Sequence, residues 1–170
     1  MTEWMGRGDV TDFQLAGMGG PVHLDVQGIP EGWVVKSILT DGADVTDEAI
    51  ELKGKTITVQ VVLTDRLTSV SGAVQSRNEI RDHSVVVFAD DAAKWTYPSR
   101  YVRTTRADGE GRFQIRGLPP GERYLAVALD YVEDGDQDDP QFLERLRSKA
   151  TGLSLGDGEQ RSLQLDVSSR

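Results

Sequence analysis

Few side chains in this sequence have the type and spacing that chemistry requires. The two histidines, His23 and His83, fall short of a three-ligand zinc site, and neither belongs to a His-x-x-x-His pair. Cysteine is absent, which removes disulfides, thiolate nucleophiles and cysteine-based zinc sites. The acidic run Glu133–Asp139 carries carboxylates at alternating positions, a pattern that attracts calcium. An EF-hand fails there: counted from Asp134, the glycine position holds Asp139 and the bidentate-glutamate position holds Arg145. A hydrated loop ending in a helix cap fits the run better. Arg7-Gly8-Asp9 is an integrin-type tripeptide, short enough to arise by chance. No Ser-His-Asp set, phosphate-cradling glycine loop or carboxylate pair on a rigid scaffold stands out. The expectation is a non-enzyme with no catalytic residue, cofactor or metal. The remaining candidates are aromatic. Trp95, Tyr97 and Tyr101 flank Pro98 ahead of a strand, where rings at a sandwich rim could stack on a glycan or touch a protein. Aromatics at strand ends more often cap the core, and Trp33 reads as a core or repeat-interface residue.

Composition narrows the partners. The chain has 170 residues, 38% hydrophobic and 28% charged, ordinary values for a globular protein. A net charge of −9 argues against phosphate-led nucleic-acid binding and against docking on anionic lipid. No apolar run approaches the roughly 20 residues of a membrane helix, so membrane insertion is not expected. The first residues lack the basic start and apolar stretch of a secretory signal.

The elements that must position these residues are strands. Ile57, Val59, Val61 and Leu63 alternate with polar residues, as do Leu163, Leu165 and Val167, and Val22, Leu24 and Val26. Such one-sided strands predict antiparallel sheets with one wet face. Ser84–Ala89 is apolar on both faces and suits a central strand. One short helix is predicted near 139–150, with Asp139 as N-cap and Pro140 at the first helical position. Phe142, Leu143, Leu146 and Ala150 make its apolar stripe, and Gly152 suits its termination.

Compared with itself, the chain repeats. Phe13-Gln14-Leu15 through Gly20-Pro21 matches Phe113-Gln114-Ile115 through Pro120-Gly121. After a one-residue gap, Leu24-Asp25-Val26 matches Leu125-Ala126-Val127, which aligns His23 with Tyr124. Ile50, Leu52, Val59, Val61 and Leu63 then match Leu153, Leu155, Leu163, Leu165 and Val167. Only the second copy has room for strands before its Phe113 block. The expected organisation is a disordered terminus at 1–8, the C-terminal half of a sandwich at 9–65, and a complete seven-stranded sandwich at 66–170.

The stretch Asp108-Gly109-Glu110-Gly111-Arg112-Phe113-Gln114-Ile115-Arg116-Gly117-Leu118-Pro119-Pro120-Gly121-Glu122-Arg123-Tyr124 resembles the signature of the carboxypeptidase regulatory-like domain. It departs by Ala107 before the aspartate, Ile115 at the second phenylalanine position and one extra residue before Tyr124. Asp139-Pro140-Gln141-Phe142-Leu143, Gly28-Ile29-Pro30-Glu31-Gly32-Trp33, Lys36-Ser37-Ile38 and Asp44-Val45-Thr46-Asp47 are similar to elements of large bacterial envelope or secreted proteins that carry such domains in tandem. The resemblance implies an all-β, transthyretin-like or immunoglobulin-like sandwich without peptidase activity of its own. It implies an extracytoplasmic setting in a longer protein, with neighbouring domains as partners. Isopeptide cross-links of adhesin sandwiches need a lysine on an early strand, and Ser69–Gln75 has none. The leading expectation is a non-catalytic structural or interaction module. Others are a carbohydrate-binding module built on Trp95–Tyr101, or an accessory domain of a peptidase whose catalytic domain lies elsewhere.

Overall fold

In the computed structural model, residues 19–52, 54, 56–76 and 83–168 are described. They form an all-β protein with one short α-helix. The chain divides into two compact units, one taking in the chain up to Ile29 with Val35–Leu63, the other Pro30–Val34 with Thr64–Arg170. The predicted 1–8 terminus and the Arg7-Gly8-Asp9 tripeptide lie outside the described residues.

The first unit is built on β1 (Pro21–Val22), β2 (Val34–Thr40), β3 (Ala43–Asp44), β4 (Ile50–Glu51) and β5 (Val59–Thr64). Strand β1 pairs with β4, and β2 lies between β3 and β5. Asp41 and Gly42 both have positive φ, at 49° and 82°, and close the two-residue β2–β3 hairpin. That geometry matches the right-handed strand twist, which explains an Asp-Gly pair at this point. The alternation from Val22 to Val26 persists in burial, but only Pro21 and Val22 are in strand, and His23 is exposed.

The second unit is a sandwich of β6 (Ser69–Gln75), β7 (Ser84–Ala89), β8 (Val102–Arg106), β9 (Arg112–Arg116), β10 (Arg123–Leu129), β11 (Thr151–Ser154) and β12 (Gln160–Ser168). Strands run in the order β8-β7-β10-β12-β6-β9, with β11 also on β10. The expectation of purely antiparallel sheets needs correction, because β12 lies parallel to β6 along Gln160–Asp166 and parallel to β10 at Val167–Ser168. Parallel neighbours need a long crossover. Here the chain between β10 and β12 supplies one, carrying the helix and β11.

Strands β7 and β10 sit side by side in antiparallel register, Leu125 opposite Phe88 and Val127 opposite Val86. Both are buried on two faces, which is why Ser84–Ala89 reads as a continuous apolar run. Val85, Val87, Ala89, Tyr124, Ala126 and Ala128 enter the core with Val70, Phe113, Ile115 and Leu165. Val86, Phe88, Leu125, Val127 and Leu129 face the opposite way, onto helix α1 (Pro140–Leu146). Each such buried aliphatic or aromatic side chain contributes roughly 1.5–3 kcal/mol.

Helix α1 starts where its sequence says: Asp139 Oδ1 accepts from the Gln141 N–H at 2.9 Å, and Pro140 occupies the first turn. Phe142, Leu143 and Leu146 are buried, with Ala150 packed against the same cluster. Termination differs from the expectation. Arg147–Lys149 tighten into a 3₁₀ turn, Ala150 is already extended, and Gly152 lies inside β11.

The Asp108–Tyr124 stretch is spent on folding. Asp108 Oδ1 accepts from the Glu110 and Arg112 N–H groups, and Gly111 takes φ of +76°. A Cβ on Gly111 would stand 2.8 Å from the Val74 carbonyl oxygen, so only glycine passes here. Phe113 and Ile115 then point into the core, and Leu118 follows them.

The two units share one pairing. Leu153 lies opposite Tyr124 in β11–β10, and Ile50, its sequence counterpart, lies opposite Val22 in β4–β1. By this register Val22, rather than His23, stands where Tyr124 stands. Between the paired strands the first unit carries the β2–β3 hairpin, and the second carries α1.

Candidate functional site

The three aromatic candidates do not form a platform. Trp95 closes a 3₁₀ turn, Ala92–Trp95, capped by Asp91, whose Oδ1 accepts from Ala93 N–H at 3.0 Å. Its ring is only 2% exposed, meets Phe88 edge-on at 5.6 Å, and donates Nε1–H to the Ala89 carbonyl at 2.7 Å. Tyr101 is 8% exposed and belongs to the inter-sheet core, on the other side of the sheet. Tyr97 alone reaches solvent, at 71%. Period-two alternation sends Tyr101 inward, and the cap pulls Trp95 under the helix. The rim therefore holds one exposed ring where three were expected. Trp33, expected in a core or interface, is 43% exposed.

Trp95 instead underlies a shallow, open depression. A groove of about 590 Å³ runs between the 3₁₀ turn and α1, lined by Ala92, Trp95, Pro140, Gln141, Glu144 and Arg145. Its floor is apolar, and Glu144 and Arg145 supply its charges. Arg145 lies over the Phe142 ring at 5.9 Å. Behind it, Arg147 stacks on Trp95 at 5.5 Å and bonds both the carbonyl and the carboxylate of Asp90, which also pairs with Arg123 at 3.2 Å. Lys94 pairs with Glu122 and lies over Tyr101. These ions pin the helix and its neighbouring turn to the end of β7. The sequence flags the helix cap, yet nothing in it links Ala92 to Pro140. Only the packing of α1 across the sheet brings them together.

The acidic run folds as a loop with a 3₁₀ turn, Asp136–Asp138. Asp136 Oδ2 accepts from Glu133 N–H at 2.9 Å, and Asp139 caps α1. The Asp136 and Asp139 carboxylates thus serve backbone N–H groups, Asp138 accepts from the Gln137 side chain, and no cluster of three or more metal-ligating side chains occurs among the described residues. His83 is buried, at 2% exposure, with Nδ1 3.7 Å from Asp130 and no hydrogen bond to either ring nitrogen among the described residues.

Among the described residues, Asp108, Tyr124 and Arg103 have displaced proton affinities, each for a local reason. Backbone N–H donation, chiefly from Arg112, holds the Asp108 carboxyl below the usual carboxylate range. Burial pushes the Tyr124 hydroxyl upward, and its O–H donates to the Pro119 carbonyl at 2.7 Å. Burial lowers Arg103, whose Nη1 donates to the Ser99 and Val102 carbonyls. None of the three lines the groove.

No family model matches the chain, and no curated protein matches it. Two solved structures are similar in outline. One is the dioxygenase domain of a dioxygenase–carbohydrate-binding protein fusion from the cellulolytic bacterium Streptomyces sp. SirexAA-E, at 16% identity and a TM-score of 0.32, over 61% of this chain and 80% of that one. The other is a streptococcal ancillary pilin, at 18% identity and a TM-score of 0.35, over 81% of this chain and 45% of the pilin. Similarity at that level assigns no activity.

Proposed function

We propose that this chain is a non-catalytic structural or interaction module, of the carboxypeptidase regulatory-like kind, within a larger extracytoplasmic protein. One observation carries the reading. The residues of the resemblance, Asp108 to Tyr124, make a turn, two core positions and a second turn held by the Tyr124 hydroxyl. They are instructions for a scaffold, and function on such scaffolds lies on surfaces added to them. The acidic surface, with a net charge of −9, suits partners other than nucleic acid. Burial of Trp95 and Tyr101 leaves the glycan-binding reading with Tyr97 alone.

Fractionation of cells that make the protein from its own gene tests the setting. Recovery with the envelope or the medium, in a polypeptide bearing further domains, is the expected result. A free cytosolic chain of this length overturns it. Titration with a broad glycan panel, followed by tryptophan fluorescence, should leave emission unchanged.

A further inference from the structure

We propose that Arg103 and Arg100, on the edge of the sandwich beside Tyr101, bind an oxyanion, the carboxylate or phosphate group of a ligand.

A cation drawn out of water without a counter-charge is costly. Arg66, Arg112, Arg123, Arg147 and Arg161 each have a carboxylate within 3.2 Å. Arg103 is half-buried and has none among the described residues. Tyr101 faces the inter-sheet core and Val102 the helix side, so alternation turns Arg103 towards the inter-sheet side. There its Nη1 donates to the Ser99 and Val102 carbonyls at 3.0 and 2.9 Å. Those bonds fix the guanidinium without neutralising it. Nε and Nη2 have no hydrogen-bond partner among the described residues, and neither is shut off from solvent. Together their N–H groups make the fork that meets two oxygens of one carboxylate or phosphate.

The neighbours add charge of the same sign. Arg100 Nη2 donates to the Tyr101 hydroxyl at 3.3 Å, and Lys94 Nζ lies 4.8 Å from the centre of the same ring. Burial lowers the proton affinity of Arg103, and the Arg100 charge adds to the effect. Nearby groups supply no anion for the fork. Glu122 is engaged by Lys94, and Tyr124, kept neutral by burial, spends its hydroxyl on the Pro119 carbonyl. A protein of net charge −9 thus gathers cations around one fixed, open guanidinium, where an oxyanion gains from both the fork and the local field.

NMR of the isotope-labelled full chain tests this, with sodium phosphate or sodium glutarate compared against sodium chloride at equal ionic strength. The Arg103 Nε–H signal and the amides from Ser99 to Arg103 should shift and saturate with phosphate, glutarate or both, and not with chloride. Phosphate alone names a phosphate ligand, and glutarate alone a carboxylate. Arg103→Lys keeps the charge and loses the fork, so it should weaken binding roughly tenfold. Arg100→Gln leaves the Arg103 anchor in place and should also weaken it. Arg106→Gln, on the opposite face of β8, should change nothing. Shifts no larger than those with chloride overturn the proposal, as does saturation that spares the Arg103 Nε–H. Undiminished binding in Arg103→Lys, or equal loss in Arg106→Gln, overturns it as well. The Nε–H shift of the unsubstituted chain decides the matter even where a variant fails to fold.

Discussion

The Tyr124 hydroxyl donates to the carbonyl of Pro119, five residues upstream, at 2.7 Å and out of contact with water. The bond ties the start of β10 to the turn that precedes it. Thr68 makes a matching tie, donating from Oγ1 to the Leu118 carbonyl at 2.6 Å. Tyr124→Phe keeps the ring and strands a buried carbonyl, which costs about 1–3 kcal/mol. Urea denaturation should show a lower midpoint with an unchanged slope. A variant as stable as the parent would mean that the hydroxyl bond contributes nothing net.

Trp95 and Tyr97 should separate cleanly under substitution. Trp95→Ala removes a buried ring and its hydrogen bond, at a cost of about 3–5 kcal/mol. Tyr97→Ala removes an exposed ring and should change stability by less than about 0.5 kcal/mol. Thermal melts of the two variants check both. Comparable losses would show that the exposed ring is part of the fold.

Gly72 marks the closest approach of β6 to β12. A Cβ there would stand 1.9 Å from the Leu163 carbonyl oxygen, so one strand must move. Gly72→Ala should lose about 1–3 kcal/mol or more, as overpacked sites do. Gly109 is the control, with nothing within 4 Å of its would-be Cβ. Amide hydrogen exchange should locate the damage along β12. Equal stability of the two alanine variants would contradict the parallel β6–β12 pairing.

Asp108 gives a pH signature. Its carboxyl is held low in the folded protein, so its contribution is present above the ordinary carboxylate pKa of about 3.9 and fades as pH falls through the lower folded value. Asp108→Asn should therefore be less stable than the parent near neutrality, with the difference shrinking below about pH 4. Melting temperatures across that range decide it. A difference constant down to the lowest pH would remove the carboxylate's charge from the explanation.

Strand positions in the second unit follow from local pattern, because alternation reports burial on one face and continuous apolar sequence reports burial on two. Ser84–Ala89 and Leu163–Val167 are legible for that reason. The helix is legible because Asp139 and Pro140 act within one turn of chain. Fates that depend on distant chain are not. Val22 alternates as well as Leu165 does, yet it forms only a two-residue strand, because strand length depends on a neighbour to pair with.

The sequence by itself determined the class of fold, the capped helix and the Asp108 turn. Each of these depends on residues close together along the chain. Tertiary structure decided the rest: β12 crosses between neighbours in parallel, Trp95 and Tyr101 go to opposite faces of one sheet, and Ala92 meets Pro140 to form the groove. Those outcomes turn on which elements pack together over long separations, and the hydrophobic effect that drives such packing is non-directional, leaving no local mark.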